Sequence, residues 1–179
     1  MRIYEGSPRQ DWEETLRAIG AFADQERLKE ILFLELQDGF LLQGLGVPAG
    51  GHDSDHMGTI AKRTYELLDD QVGQLMDERA AHRGEDPANV PHADLDNYYE
   101  QAMRIIGSWV DLQHARDLFF FEQDGSFVVR ILGTGAGGTI SHRLAEFTRE
   151  EIVAMIDEAP HMRDSAPAAR NTAQGEAST

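Results

Sequence analysis

The octapeptide Arg17-Ala18-Ile19-Gly20-Ala21-Phe22-Ala23-Asp24 returns as Arg104-Ile105-Ile106-Gly107-Ser108-Trp109-Val110-Asp111. Arg, Ile, Gly and Asp keep their places, each 87 residues further on. A chain that writes one supersecondary unit twice must bury two similar apolar faces, and a joint core is the economical way to do so.

The repeat extends outward from the octapeptide. Ser7-Pro8-Arg9-Gln10 has the chemistry of a helix start, with a capping hydroxyl, proline at the first helical position and a glutamine able to reach back. Trp12, Leu16, Ile19, Phe22 and Ala23 then recur at helical spacing. The second unit opens at Asp94 and carries Tyr99, Met103, Ile106, Trp109 and Val110 on the equivalent stripe. Gly20 and Gly107 border these stripes. A glycine inside a helix costs about 1 kcal/mol against alanine, so its use at both places predicts close backbone approach, helix on sheet or helix on helix.

Apolar runs follow each helix. Residues 31–35 and 40–43 flank Asp38-Gly39, and residues 118–122 and 127–132 flank Asp124-Gly125. Asp-Gly between apolar runs is a strong hairpin signal, because both turn positions favour positive φ. The near-continuous runs predict strands that lie centrally or are covered on both faces. Residues 58–67 and 138–147 match at an offset of 80 and read as a third strand, with one long helix as the alternative. Thr148-Arg149-Glu150-Glu151 is a capping box that begins a helix afresh. That helix carries Ile152, Met155 and Ile156, and its counterpart carries Val72, Leu75 and Met76.

The predicted fold is α+β: a tandem duplication of a helix-strand-strand-(strand)-helix unit, with antiparallel hairpins and two copies sharing one core about an approximate two-fold. Residues 1–83 form the first copy, 84–93 a linker with Pro87 and Pro91, and 94–159 the second copy. Residues 160–179 lack an apolar stripe and are expected to be a disordered tail. Whether the strands make one sheet or two layers is not decided by periodicity.

Composition narrows the function classes. Sixteen basic against 32 acidic residues give a net charge of −16, which repels phosphate backbones and anionic lipid. Direct nucleic-acid binding and membrane association are therefore not expected, whereas a basic or protein partner is. The absence of cysteine removes disulfides and thiolate chemistry and suits a cytoplasmic, soluble protein.

Three motifs bear on chemistry. Gly133-Thr134-Gly135-Ala136-Gly137-Gly138 matches the dinucleotide pattern G-x-G-x-x-G, which works only where a strand leads into a helix. Here it lies near the end of the chain, and the equivalent loop after Leu45 lacks the pattern, so it reads as a strand connection. His52-Asp53-Ser54-Asp55-His56 falls in the loop that is longer in the first copy. Its nitrogen and oxygen donors suit Zn, Mn or Ni, with His82 or His142 as further donors. The candidate metal ligands are thus His52, Asp53, Asp55 and His56. Glu35 and Glu122 are a repeated pair of carboxylates that acid–base chemistry could use from one pocket. Repeated structural ion pairs, such as Arg63 with Glu35, are the simpler reading.

No nucleophile elbow, phosphate loop or basic-aromatic surface is present. The leading expectation is a non-enzymatic interaction or regulatory protein that binds a protein or basic partner. The alternatives are a metal-dependent enzyme built on residues 52–56 and an acidic mimic of nucleic acid.

Overall fold

The computed structural model describes residues 11–46, 61–81, 97–134 and 138–158. The chain order is α1 (Trp12–Gln25), β1 (Leu28–Leu36), β2 (Gly39–Gly46), β3 (Ala61–Leu68), α2 (Asp69–Ala81), α3 (Tyr98–Leu112), β4 (Ala115–Gln123), β5 (Ser126–Thr134) and β6 (Ile140–Phe147). A fourth helix, α4, spans 149–158. The protein is α+β. One continuous antiparallel sheet of six strands has the order β3-β2-β1-β4-β5-β6.

The sheet is joined at its centre by a short ladder in which Leu32 pairs with Phe121, Phe33 with Phe120 and Leu34 with Phe119. Phe33 stacks on Phe120 at 4.8 Å and on Phe40 at 5.4 Å. Period-2 alternation sends Ile31, Phe33, Phe40, Leu42, Leu118, Phe120, Phe127, Val129 and Ile131 to one face, where all are fully buried. All four helices direct their buried side chains into that same core, including Val72 of α2 and Ile152 of α4. The third strands predicted from 58–67 and 138–147 are β3 and β6. Their pairing along the whole of β2 and β5 removes the long-helix alternative.

α1 and α3 lie antiparallel and touch at their glycines. A Cβ at Gly20 would sit 2.7 Å from the carbonyl carbon of Tyr99, and one at Gly107 would sit 2.6 Å from that of Trp12. No side chain fits in either gap, which explains why both helices accept the propensity penalty of glycine. The same contact exchanges caps. Asp111 accepts hydrogen bonds from the Trp12 and Glu13 amides at 3.0 and 3.1 Å, and Asp24 accepts from those of Tyr99 and Glu100 at 3.0 and 2.8 Å. Each aspartate sits in the last turn of its own helix, where the macrodipole disfavours it. Each neutralises the first turn of the other helix, where the dipole favours it and amides lack partners. Arg17 completes one side with Glu100 at 3.1 Å, and Arg104 the other with Glu13 at 3.7 Å.

Two local expectations are corrected. α1 begins at Trp12 after Asp11, and α3 at Tyr98 after Asn97, and neither preceding residue makes a side-chain cap. The caps come from the other helix, a long-range substitution that local sequence cannot reveal; Ser7 to Gln10 and Asp94 lie outside the described residues. In the hairpins, Leu36 faces Gly39 and Gln123 faces Ser126, so the turns are Gln37-Asp38 and Asp124-Gly125. Asp124 (φ 51) and Gly125 (φ 81) have the positive φ values of the expected Asp-Gly turn. Asp38-Gly39 is not a turn pair, because Gly39 is already the first residue of β2. At the start of α4, Thr148 and Glu151 exchange hydrogen bonds of 2.8 and 3.2 Å, as the capping box requires.

Candidate functional site

His52, Asp53, Asp55 and His56 lie outside the described residues, as do His82, the 84–93 linker and the 160–179 tail. His142 is on β6. Among the described residues, no three His, Asp or Glu side chains come together in an arrangement able to hold a metal ion. The glycine-rich run after β5 leads into the antiparallel strand β6, with the next helix starting only at residue 149. Among the described residues, no helix N-terminus of the kind on which pyrophosphate binding depends stands at the end of this strand.

Glu35 and Glu122 do not share a pocket. The antiparallel register places them on opposite sides of the Phe33–Phe120 pair, four residue steps or roughly 13 Å apart. Each is enclosed separately. Burial pushes the Glu122 carboxyl above its ordinary value, only partly offset by hydrogen bonds from the Tyr99 hydroxyl and the Ile31 amide. The Ile31 amide is free to turn there because β1 breaks register between Lys29 and Leu32, with Glu30 at φ 50. Burial and the Glu122 carboxylate likewise push the Tyr99 hydroxyl upward. This is a satisfied structural pair within the helix-covered layer. Arg63, expected beside Glu35, lies 3.8 Å from Glu26, whose carboxylate also accepts the Tyr65 hydroxyl.

The surface that stands out is the other face of the sheet. Alternation places Leu32 and Leu34 of β1, Leu41 and Leu45 of β2, Phe119 and Phe121 of β4, and Val128 and Leu132 of β5 there, all half-buried. None of these eight belongs to the core beneath the helices. Around them stand Leu68, Ile140 and Leu144, which are 49%, 62% and 74% exposed. Antiparallel sheets with one solvated face ordinarily alternate apolar and polar residues. Here the second face of the four central strands is mostly apolar, interrupted by Gln43 and Arg130, and no described helix covers it.

Charge is distributed unevenly between these layers. The four helices carry thirteen acidic residues against four basic ones, whereas the six strands carry six of each. On the open face both signs occur, Lys62 and Arg130 with Glu66 and Glu146, and the Arg130 guanidinium lies 5.3 Å from the centre of the Phe119 ring. The apolar runs are plain in the sequence, but their consequence is not, because it depends on all four helices choosing one side. The cytoplasmic expectation meets only a coarse observation: no helix among the described residues is long and apolar enough to cross a membrane.

Comparison with protein-family models, with curated proteins and with solved structures returns no match.

Proposed function

We propose that this chain is a non-enzymatic interaction or regulatory protein that engages a protein partner through the face of its sheet that no described helix covers. The observation that carries the reading is the apolar surface of β1, β2, β4 and β5 on the side no described helix covers. Contiguous apolar surface rimmed by polar residues is the usual mark of a protein contact. The acidic helix layer is the complementary half of the reading, since it keeps the rest of the molecule soluble and repels nucleic acid.

The scaffold is proposed to be a tandem duplication whose halves are related by an approximate two-fold through the Phe33–Phe120 pair. Support comes from contacts that recur at the offset of 87. The Gly20 contact with Tyr99 matches that of Gly107 with Trp12, and the Asp24 cap on residues 99 and 100 matches the Asp111 cap on residues 12 and 13. Such an arrangement places an antiparallel joint between β1 and β4 and lets two small units share a core that neither could fill alone.

Affinity capture with the tagged full chain at moderate salt tests the functional reading. Wild type should enrich a protein, an untagged co-expressed copy of this chain included, that the Ile140→Glu/Leu144→Glu variant loses. An identical set of captured proteins for both, or none for either, would reject it. The metal-enzyme alternative rests on the sequence of residues 52–56, and elemental analysis decides it: stoichiometric Zn or Mn, lost in His52→Ala/His56→Ala, would replace the interaction role with a metal-dependent one.

A further inference from the structure

We infer that the occupant of the open sheet face is a second copy of this chain, packed sheet against sheet. The inference rests on the reading of that face as a protein contact and assigns its partner.

Size is the first argument. Six strands spaced at about 4.8 Å, with about eight residues rising about 3.4 Å each, cover roughly 800 Å². That is about what each partner contributes to a stable interface of standard size. The face is also more apolar than an ordinary transient contact requires, since Leu34, Leu41, Phe119, Phe121 and Val128 form its middle.

Electrostatics is the second argument, and it discriminates between occupants. A chain of net charge −16 resists self-association through most of its surface. The open face is the exception, since Lys62 and Arg130 stand there with Glu66 and Glu146. Sheets stack at about 10 Å, and a helix layer about 10 Å thick covers each outer side. The two acidic helix layers of a face-to-face pair would then stand about 30 Å apart, beyond several screening lengths of about 8 Å in physiological salt. A strongly basic foreign protein would instead be drawn to the helix layer. The open face favours a partner that is apolar and close to neutral, and a second copy presents that surface. Lys62 and Arg130 on one copy find Glu66 and Glu146 available on the other, so the face need not bury charge of a single sign.

The test places a photoreactive benzoylphenylalanine at Leu144 in the full chain. Unlabelled and isotope-labelled copies are mixed, irradiated, and read by peptide mass spectrometry alongside sedimentation equilibrium. The expected result is a mixed-isotope link from residue 144 to the open face of another copy, with a mass about twice 20.0 kDa. Ile140→Glu/Leu144→Glu should weaken the association by roughly a hundredfold, because it buries unpaired charge, while its melting midpoint as a dilute monomer stays with that of wild type.

Links confined to single-isotope peptides would overturn the inference and the functional reading together, because the chain would be covering its own face. A monomer with no link would overturn the inference alone. The capture experiment would then decide the functional reading on its own terms.

Discussion

The two faces of one sheet are built from the same strands and yet have opposite fates. On the helix side, Phe33, Phe40, Phe120 and Phe127 are wholly buried beneath four helices. On the other side, Phe119 and Phe121 are equally large but only half-buried, with Leu144 and Ile140 standing in the open. Ordinary alternation would have made that second face polar. The difference separates what folds the chain from what the proposed interface uses: the first face holds the described helices, and the second carries none of them.

The largest effect expected from this contrast is at the central aromatic pairs. Phe120→Ala should lower stability by about 3–5 kcal/mol in urea unfolding, through lost transfer energy and the cavity left in a close-packed core. Phe121→Ala, one residue along and on the other face, should cost the dilute monomer about 1 kcal/mol. Equal losses at the two positions would break the comparison, because both faces would then be interior to a single chain.

The helix layer itself supplies the next test. Gly107→Ala should destabilise by about 2 kcal/mol, since the new methyl meets the Trp12 carbonyl across the helix contact. In an uncrowded helix the same change would stabilise by about 1 kcal/mol, so the sign alone decides whether the helices touch. Asp24→Ala and Asp111→Ala should each cost about 1–2 kcal/mol through the loss of an interhelical cap. Similar values for the two would support the proposed symmetry, and markedly different values would count against it.

A smaller effect is expected at Glu122, half-buried on the helix side. Burial raises its carboxyl above the ordinary 4.5, so between that value and the raised one the folded state holds a proton that the unfolded state has released. The sign follows from linkage: this group's contribution to stability falls as pH climbs from about 4.5 through the raised value. Glu122→Gln keeps an acceptor for the Tyr99 hydroxyl and the Ile31 amide but does not titrate. The variant should therefore gain on wild type in urea unfolding as pH climbs from 4.5 through the raised value. Wild type gaining on the variant over that range would contradict the assignment.

Much of the sheet was legible in the sequence because its signals are local. Asp124-Gly125 specifies its turn through φ, and Thr148 with Glu151 specifies a helix start within four residues. Gly20 and Gly107 announced a close approach, though not which elements met. The helix starts at Trp12 and Tyr98 were not legible, because their caps come from Asp111 and Asp24, more than 70 residues away. A signal did exist: an aspartate in the last turn of a helix opposes that helix's own dipole and so suggests a task elsewhere. The open face was hidden for a similar reason. Runs such as Leu32-Phe33-Leu34 and Phe119-Phe120-Phe121 say that both sides of a strand are apolar, but not what covers either one. The metal candidates His52, Asp53, Asp55 and His56 remain a sequence expectation that lies outside the described residues.

The most direct test of the open face uses the absence of cysteine from the chain. A single thiol introduced by Leu144→Cys on the open face is compared with one introduced by Gln74→Cys on the exposed side of α2. If another polypeptide covers the face, maleimide should label the thiol at position 144 more slowly than that at 74, and increasingly so as protein concentration rises. Equal labelling rates at every concentration would mean that the face stays bare and would contradict the account.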